Sequence, residues 1–243
     1  MAKQNTTKAP KGAKGAKGAK GTKEEVLIDV AEVTHEAQHW IEVYKKPLIY
    51  GAIALVAIIG GSLAWKSYQA GNQVKAVQAM WKAEQMFERD SFAVALNNPG
   101  GGYEGFLGII SKYGRTPAGN MAHYYAGVCY LQVGKFDDSI KYLEDFSPSG
   151  TVSPTMKYGA LADAYSEKQD FGKALKYYKE AASEGGVEDM KALYLKRYAM
   201  LSEKQGDAAS ALSAYTEIKE KYPTTAEGRD IEKFIARAEA KKK

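Results

Sequence analysis

The sequence predicts an all-α fold in which a single transmembrane helix is followed by an α-solenoid of stacked helical hairpins. Three observations predict it. The run Pro47–Trp65 contains no charged residue and is flanked by lysines on both sides. No stretch of alternating β-branched residues offers a strand. In the C-terminal half, small and aromatic residues recur every 35 to 37 residues, a spacing typical of repeated helical hairpins.

Composition excludes some classes of function. The net charge is +5 over 243 residues, and much of the excess lies in the N-terminal lysines and in Lys241–Lys243. The body of the chain is nearly balanced, so its charge predicts no specific nucleic-acid surface. The one cysteine, Cys129, cannot form an intramolecular disulfide. Because its neighbours are apolar, we expect it to be buried.

Two segments precede the apolar run. Residues 1–23 carry a lysine-rich three-residue period and too little apolar surface to fold, which predicts a disordered basic cytoplasmic tail. Residues 24–46 place apolar side chains at steps of three and four, which predicts an amphipathic juxtamembrane helix. We expect this helix to lie along the cytoplasmic surface or against a partner helix.

Residues 47–66 are predicted to form the transmembrane helix. As a helix rising about 1.5 Å per residue, Pro47–Trp65 spans roughly 28 Å, close to the hydrocarbon thickness of a bilayer. We expect Pro47 in the first helical turn, where its missing amide is tolerated. A cleavable signal peptide is the alternative, but the apolar run starts late and is long for one.

Lysines are concentrated before the span, so the N-terminus is predicted to be cytoplasmic and the C-terminal part periplasmic, across the bacterial inner membrane. Within the span, small residues at a spacing of four predict a face on which another helix can pack. These residues are Ala57, Gly60, Gly61 and Ala64.

Residues 67–102 are predicted to open the solenoid with a long helix, Ser67–Leu96, and a glycine-rich loop, Asn97–Gly102. The apolar residues of this helix are expected on its buried side. They are Val74, Val77, Met80, Trp81, Phe87 and Phe92.

Residues 103–243 contain the repeats. Small residues at Gly127, Ala162 and Ala199, with a second set at Ser139, Ala174 and Ala211, fall at the positions where tetratricopeptide (TPR) hairpins need close helix contacts. Lys112–Thr116 echoes Lys221–Thr225, which makes Tyr103–Tyr113 the second helix of an initial hairpin. Glu227–Lys243 is predicted to be a capping helix.

The strongest catalytic pattern is His35-Glu36-Ala37-Gln38-His39, which fits the H-E-x-x-H motif of zinc peptidases. The remaining histidine, His123, is predicted on the other side of the membrane, so no third histidine ligand is expected. We therefore predict no enzyme, no metal and no cofactor. A membrane-bound zinc hydrolase built on His35, Glu36 and His39 stays open as an alternative.

The first helices of the hairpins are expected to line a concave groove for a peptide or a partner protein. Its aromatic and methionine side chains would suit an adaptable apolar surface. The predicted groove residues are Tyr124, Val128, Leu131, Met156, Asp163, Lys196 and Met200.

The order of these segments, with the stretch KYGRTPAGNMAHYYAGVCYLQVGKFDDSIKYLEDF, resembles the YfgM-like ancillary subunits of the bacterial Sec translocon. The resemblance covers roughly Glu24–Lys243 and implies association with the SecYEG channel and with a PpiD-like periplasmic chaperone. It also implies a role in handing over emerging secreted proteins. A general periplasmic envelope-assembly scaffold without translocon association is the alternative.

Overall fold

The computed structural model describes residues 30–98, 100–184 and 186–242, and within them the side chains from residue 39 to residue 241. These residues form eleven α-helices and no strand. The predicted tail, residues 1–23, and the first part of the predicted juxtamembrane helix lie outside the described residues. The helices are α1 Val30–Glu88, α2 Phe92–Asn97, α3 Phe106–Tyr113, α4 Pro117–Gln132, α5 Phe136–Asp145, α6 Ser153–Glu167, α7 Phe171–Ser183, α8 Glu188–Lys204, α9 Ala208–Lys221, α10 Ala226–Arg229 and α11 Glu232–Lys242.

The chain divides into two units, Met1–Gly61 and Ser62–Lys243. Helix α1 includes the predicted span, and its most apolar stretch has a mean hydropathy of 2.0 with no residue buried. This length and composition are compatible with a single-pass membrane anchor. The expectation that Pro47 lies in the first helical turn is wrong, because Pro47 is inside α1. Because α1 already contains residues 30–46, the predicted juxtamembrane helix and the predicted span belong to one helix.

Of the residues predicted on the buried side, Met80, Phe87 and Phe92 pack on a hydrophobic core as expected, and α1 adds two alanines to that core. Ala76 and Ala83 are fully buried and Met80 is 4% exposed, in a core shared with alanines of α4. Val74, Val77 and Trp81 are instead 58%, 53% and 55% exposed, so their predicted burial is wrong. Alanines on both helices allow close backbone approach, and Val74, Val77 and Trp81 are left on another face.

The predicted single helix Ser67–Leu96 is also wrong, because α1 ends at Glu88 and α2 begins at Phe92. Asp90 takes a left-handed conformation, with φ of 56°, which an aspartate tolerates better than most residues. The break turns Phe92 back onto Phe87, whose ring lies edge-on 5.5 Å from it. Phe87 also meets the ring of Tyr125 at 5.1 Å. The chain reversal therefore closes the first hydrophobic core.

A seven-residue corner recurs at the two ends of the array. At the start of α4, the Thr116 hydroxyl accepts from the Gly119 amide at 3.0 Å and donates to the Tyr113 carbonyl at 2.8 Å. At the start of α10, Thr225 makes the same two bonds, to Gly228 at 3.1 Å and to Tyr222 at 2.8 Å. The sequence echo between Lys112–Thr116 and Lys221–Thr225 therefore reports a shared local structure.

Three helical hairpins lie between these corners: α4–α5, α6–α7 and α8–α9. The small residues expected at the hairpin contacts are all buried. At each hairpin turn one residue has a positive φ: Gly134 at 76°, Gln169 at 64° and Gly206 at 85°. The turns thus recur with the same period as the small residues. Three successive cores run along the array, and neighbouring hairpins share the second core, which contains Leu143 of α5 and Leu201 of α8.

The C-terminal cap is formed by two helices, α10 and α11, rather than by the single predicted helix Glu227–Lys243. The chain bends between them so that Ile231 is fully buried in the third core. Ala238 of α11 is also fully buried there. Charged residues cover the outer side of α11, as expected for the end of a solenoid.

Candidate partner-binding surfaces

A cleft of about 460 Å³ opens between the first and third hairpins across α6. We call it the inter-repeat cleft. It combines apolar side chains from the α4–α5 turn with polar side chains from α6, α7 and α8. Its lining residues are Leu131, Gln132, Gly134, Phe136, Asp163, Ser166, Glu167, Tyr178 and Arg197.

Asp163 is the centre of the polar side of this cleft. Its carboxylate accepts hydrogen bonds from Nη1 of Arg197 and, at 2.6 Å, from the hydroxyl of Tyr178. Burial raises the pKa of Tyr178, and the Asp163 charge raises it further. Burial alone would lower the pKa of Arg197, but the bond to Asp163 and its charge outweigh this and raise it. Tyr178 is therefore a neutral donor and Arg197 a fixed cation.

Arg197 keeps donors for a ligand. Within the described residues, Nη1 is its one hydrogen-bonding nitrogen, and 41% of its side chain is exposed. A guanidinium with free N–H groups beside an apolar wall can bind the backbone carbonyl of a peptide or a carboxylate. The inter-repeat cleft is therefore suited chemically to an extended polypeptide.

A second network of the same kind joins α8 to α11. Glu203, with its side chain 4% exposed, pairs with Arg237 at 2.6 Å and with Lys241 at 2.8 Å. The Tyr215 hydroxyl donates to the same carboxylate at 3.2 Å. Burial alone would raise the pKa of Glu203, but these partners overcome it and lower the pKa to about 2. Glu203 therefore holds the cap on the last hairpin as a carboxylate.

The predicted groove residues fall in three different environments. Tyr124, Val128 and Leu131 are half-buried and pack on the second core, where the Tyr124 ring lies 5.6 Å from Phe146. Leu131 and Asp163 meet in the inter-repeat cleft.

The other three predicted groove residues lie elsewhere. Met156 is half-buried on α6. On α8, Met200 is 46% exposed, and Nζ of Lys196 lies 5.0 Å from the centre of the Phe234 ring. None of these three lines the inter-repeat cleft.

Sequence reasoning missed Arg197 and Tyr178. A usable signal was present, because Arg197 follows Asp163 by 34 residues, and Arg237 follows Glu203 by the same distance. An acidic residue paired with an arginine one repeat later is a contact that the repeat period itself predicts.

A further surface lies on α1 beyond Trp65. Val74, Val77 and Trp81 follow each other at steps of three and four, so they share one face of the helix. We call this face the α1 stripe. Tyr103 extends it, because its ring meets Trp81 edge-on at 6.5 Å and is itself 45% exposed. Contiguous exposed apolar side chains of this size mark interaction sites.

The residues predicted for helix packing in the span are all exposed. A Cβ added at Gly60 or Gly61 would meet nothing within 4 Å. Ala57 and Ala64 stand on the same helix, α1. Their role in packing another helix stays a prediction.

The side chains of His35 and Glu36 lie outside the described residues, whereas His39 is exposed. Among the side chains that the structure describes, no group of three or more His, Cys, Asp and Glu could hold a metal ion. His123 packs 6.0 Å from the Tyr142 ring and is half-buried. Burial lowers the pKa of His123, with Asp145 opposing.

Comparison with known families identifies the second and third hairpins. Residues 160–226, from α6 to the start of α10, match the profile of the tetratricopeptide repeat family. The chain contains TPRs. Comparisons with curated proteins and with solved structures gave no match. TPR arrays are protein-interaction modules, and both the inter-repeat cleft and the α1 stripe are surfaces on which such a module can bind.

Proposed function

We propose that this chain is a membrane-anchored TPR adaptor of the Sec translocon, which links the channel to a PpiD-like periplasmic chaperone and to emerging secreted polypeptides. The observation that most supports this proposal is the exposed α1 stripe. Three large apolar side chains more than half exposed to water on one helix face favour a partner that covers them. The resemblance to YfgM-like subunits supports the choice of partner.

The position of the stripe favours a partner that is itself anchored in the membrane. Val74 follows Trp65 by nine residues, which on a helix is about 13 Å beyond the end of the apolar run. A helix that leaves the same bilayer beside α1 reaches this height without a long linker. Shared anchoring also raises the effective concentration of the two surfaces.

The inter-repeat cleft is the second binding surface in this proposal. Its apolar wall and the free donors of Arg197 suit an unfolded segment that has left the channel. Client binding in the cleft and chaperone binding at the α1 stripe would use separate faces, so both partners can bind together.

The test is affinity purification of the full chain, expressed at its native level and extracted in a mild detergent. We expect translocon subunits and a membrane-anchored periplasmic chaperone to co-purify. The double variant Val77→Lys and Trp81→Lys should lose at least tenfold of the chaperone, because each lysine would have to be buried in the contact. The matched control is the double variant Val152→Lys and Val187→Lys, at exposed valines outside α1, which should retain the chaperone.

Two outcomes would contradict the proposal. Absence of both translocon and chaperone from the wild-type preparation would favour the general envelope scaffold. Equal recovery of the chaperone with the α1-stripe variant and with the Val152→Lys and Val187→Lys control would show that the α1 stripe is not the contact surface.

A further inference from the structure

A second cleft lies between α1 and the turn that joins α3 to α4, and the function proposed above does not use it. We call it the basal cleft. Its volume is about 480 Å³. Helix α1 contributes Trp65, Tyr68, Gln69 and Asn72, and the opposite wall is formed by residues 110–116. Among the described residues that line it, none is acidic.

Two hydrogen bonds hold the α3–α4 turn against α1. Nε2 of Gln69 donates to the carbonyl oxygen of Arg115 at 3.2 Å. The amide of Ala118 donates to Oε1 of Gln73 at 2.9 Å. The basal cleft is therefore fixed to the helix turns that directly follow Trp65.

The charge in the basal cleft is positive. Lys112 is paired with Glu104. Arg115 is exposed, and its guanidinium makes no ion pair or hydrogen bond with the described residues. A guanidinium presents a planar fork of N–H donors that matches the oxygens of a phosphate. Asn72, which likewise makes no side-chain hydrogen bond within the described residues, adds an amide donor on the α1 wall.

The depth of the cleft fits the headgroup layer. At about 1.5 Å per residue, Gln69 lies about 6 Å and Asn72 about 10 Å beyond Trp65 along α1. The headgroup layer on each side of a bilayer is roughly 5 to 8 Å thick, so Gln69 falls within it and Asn72 just beyond it. Trp65 and Tyr68, 53% and 62% exposed, are the aromatic residues expected at the membrane interface.

From this geometry we propose that the basal cleft binds an anionic phospholipid, with the Arg115 guanidinium on the headgroup phosphate and Trp65 and Tyr68 beside the glycerol and the first methylenes. The inference rests on the proposed membrane anchor, since the cleft reaches lipid only if α1 crosses the bilayer. It is independent of the translocon and of any chaperone.

The experiment uses the full chain in nanodiscs of phosphatidylcholine with or without phosphatidylglycerol. Native mass spectrometry counts the lipid molecules that stay bound when the protein is released from the nanodisc. We expect wild type to retain phosphatidylglycerol. Arg115→Glu should retain about tenfold less, because the variant loses charge-assisted bonds and adds a repulsive charge. Arg115→Lys, which keeps the charge but not the fork, should fall between them.

Arg89→Glu is the matched control. It makes the same charge change at an exposed arginine beyond the end of α1, on the order of 35 Å along the helix from Trp65. Its lipid retention should equal that of wild type. Equal retention by Arg115→Glu and wild type, or an equal loss in Arg89→Glu, would overturn the assignment.

Two further experiments distinguish a lipid from free phosphate as the ligand, and distinguish failure of the basal-cleft proposal from failure of the proposed membrane anchor. Inorganic phosphate added to the delipidated chain in detergent should not raise Tm in an Arg115-dependent way, and such a rise would overturn the lipid assignment. Alkaline extraction should leave wild type and Arg115→Glu in the membrane. Release of both would refute the anchor, whereas retention with unchanged lipid counts would refute the basal cleft alone.

Discussion

Gly119 stands where the first turn of α4 passes the C-terminal end of α3. A Cβ at this position would lie 1.9 Å from the Tyr113 carbonyl oxygen and 2.8 Å from the Gly114 Cα. Both are backbone atoms, so the two helices must separate to accept any side chain. The corner at the start of α4 therefore depends on this glycine.

We predict that Gly119→Ala lowers the free energy of unfolding by about 2 kcal/mol, as expected for an overpacked site. Denaturant unfolding of the full chain in mild detergent measures this. Gly172→Ala is the control, because the nearest atom to its added Cβ is Asp170 Oδ1 at 3.9 Å. An exposed helical glycine replaced by alanine should gain a few tenths to about 1 kcal/mol. Equal stability of the two variants would contradict the interpretation.

Glu203 makes stability depend on pH in a definite direction. Its folded-state pKa is lowered to about 2 from the ordinary value of 4.5. The stabilisation is therefore complete above pH 4.5 and is lost as the pH falls from there towards 2.

Arg237→Ala should lower the free energy of unfolding by about 1 to 3 kcal/mol at neutral pH, since it removes a partner of a buried carboxylate. The difference from wild type should shrink between pH 4.5 and pH 3. Lys233→Ala removes an exposed pair on the same helix, with Asp230, and should have little effect at either pH. A pH-independent effect of Arg237→Ala would argue for packing alone.

Helix α11 is the element that closes the third core. It supplies Ala238 to that core and both cationic partners of Glu203. Because each hairpin mainly contacts its neighbours, loss of the cap should act locally first.

Deleting residues 232–243 should abolish amide protection in α8 and α9 while leaving α4 protected, because the buried residues of α4 belong to the first core and α11 packs on the third. Hydrogen exchange followed by mass spectrometry, helix by helix, measures this. The control is Lys219→Ala, which breaks only the surface contact between Lys219 and Glu232. Uniform loss of protection through all three hairpins would contradict the nearest-neighbour description.

At the element scale, the sequence predicted the hairpins well because their signal is a residue class at a fixed spacing. Gly127, Ala162 and Ala199 had to be small, and they are buried where they were expected. The buried face of α1 could not be predicted in this way, because no residue class recurs along it at a fixed spacing. Hydrophobicity favoured Val77 and Trp81 for the core, but the partner helix, α4, is itself lined by alanines and selects the small residues of α1.

The candidate sites show the same limit. Asp163 was predicted on the first helix of its repeat, whereas Arg197 was missed although its 34-residue separation from Asp163 was a usable signal. The break at Asp90 and the continuation of α1 through Pro47 were also missed. Each depends on tertiary contacts or on a backbone conformation that local propensity does not encode.

At the scale of the whole molecule, the decisive prediction concerns topology. If the lysine-rich leader is cytoplasmic, protease added to spheroplasts should digest residues 67–243 and leave the leader protected. Antibodies to tags at the two ends would follow the fragments. A detergent-lysed sample, in which both ends are cut, is the control. An intact C-terminal part with a clipped leader would invert the topology and remove the proposed periplasmic role.

The shared corner at Tyr113–Gly119 and Tyr222–Gly228 has a consequence for how this array can change in length. The same threonine bridge and the same close-approach glycine form both joints. The three hairpins between them are therefore a cassette with interchangeable ends. Such a cassette can be deleted or duplicated in frame while each junction keeps its geometry. Recombination or protein engineering can therefore shorten or lengthen the array by whole hairpins.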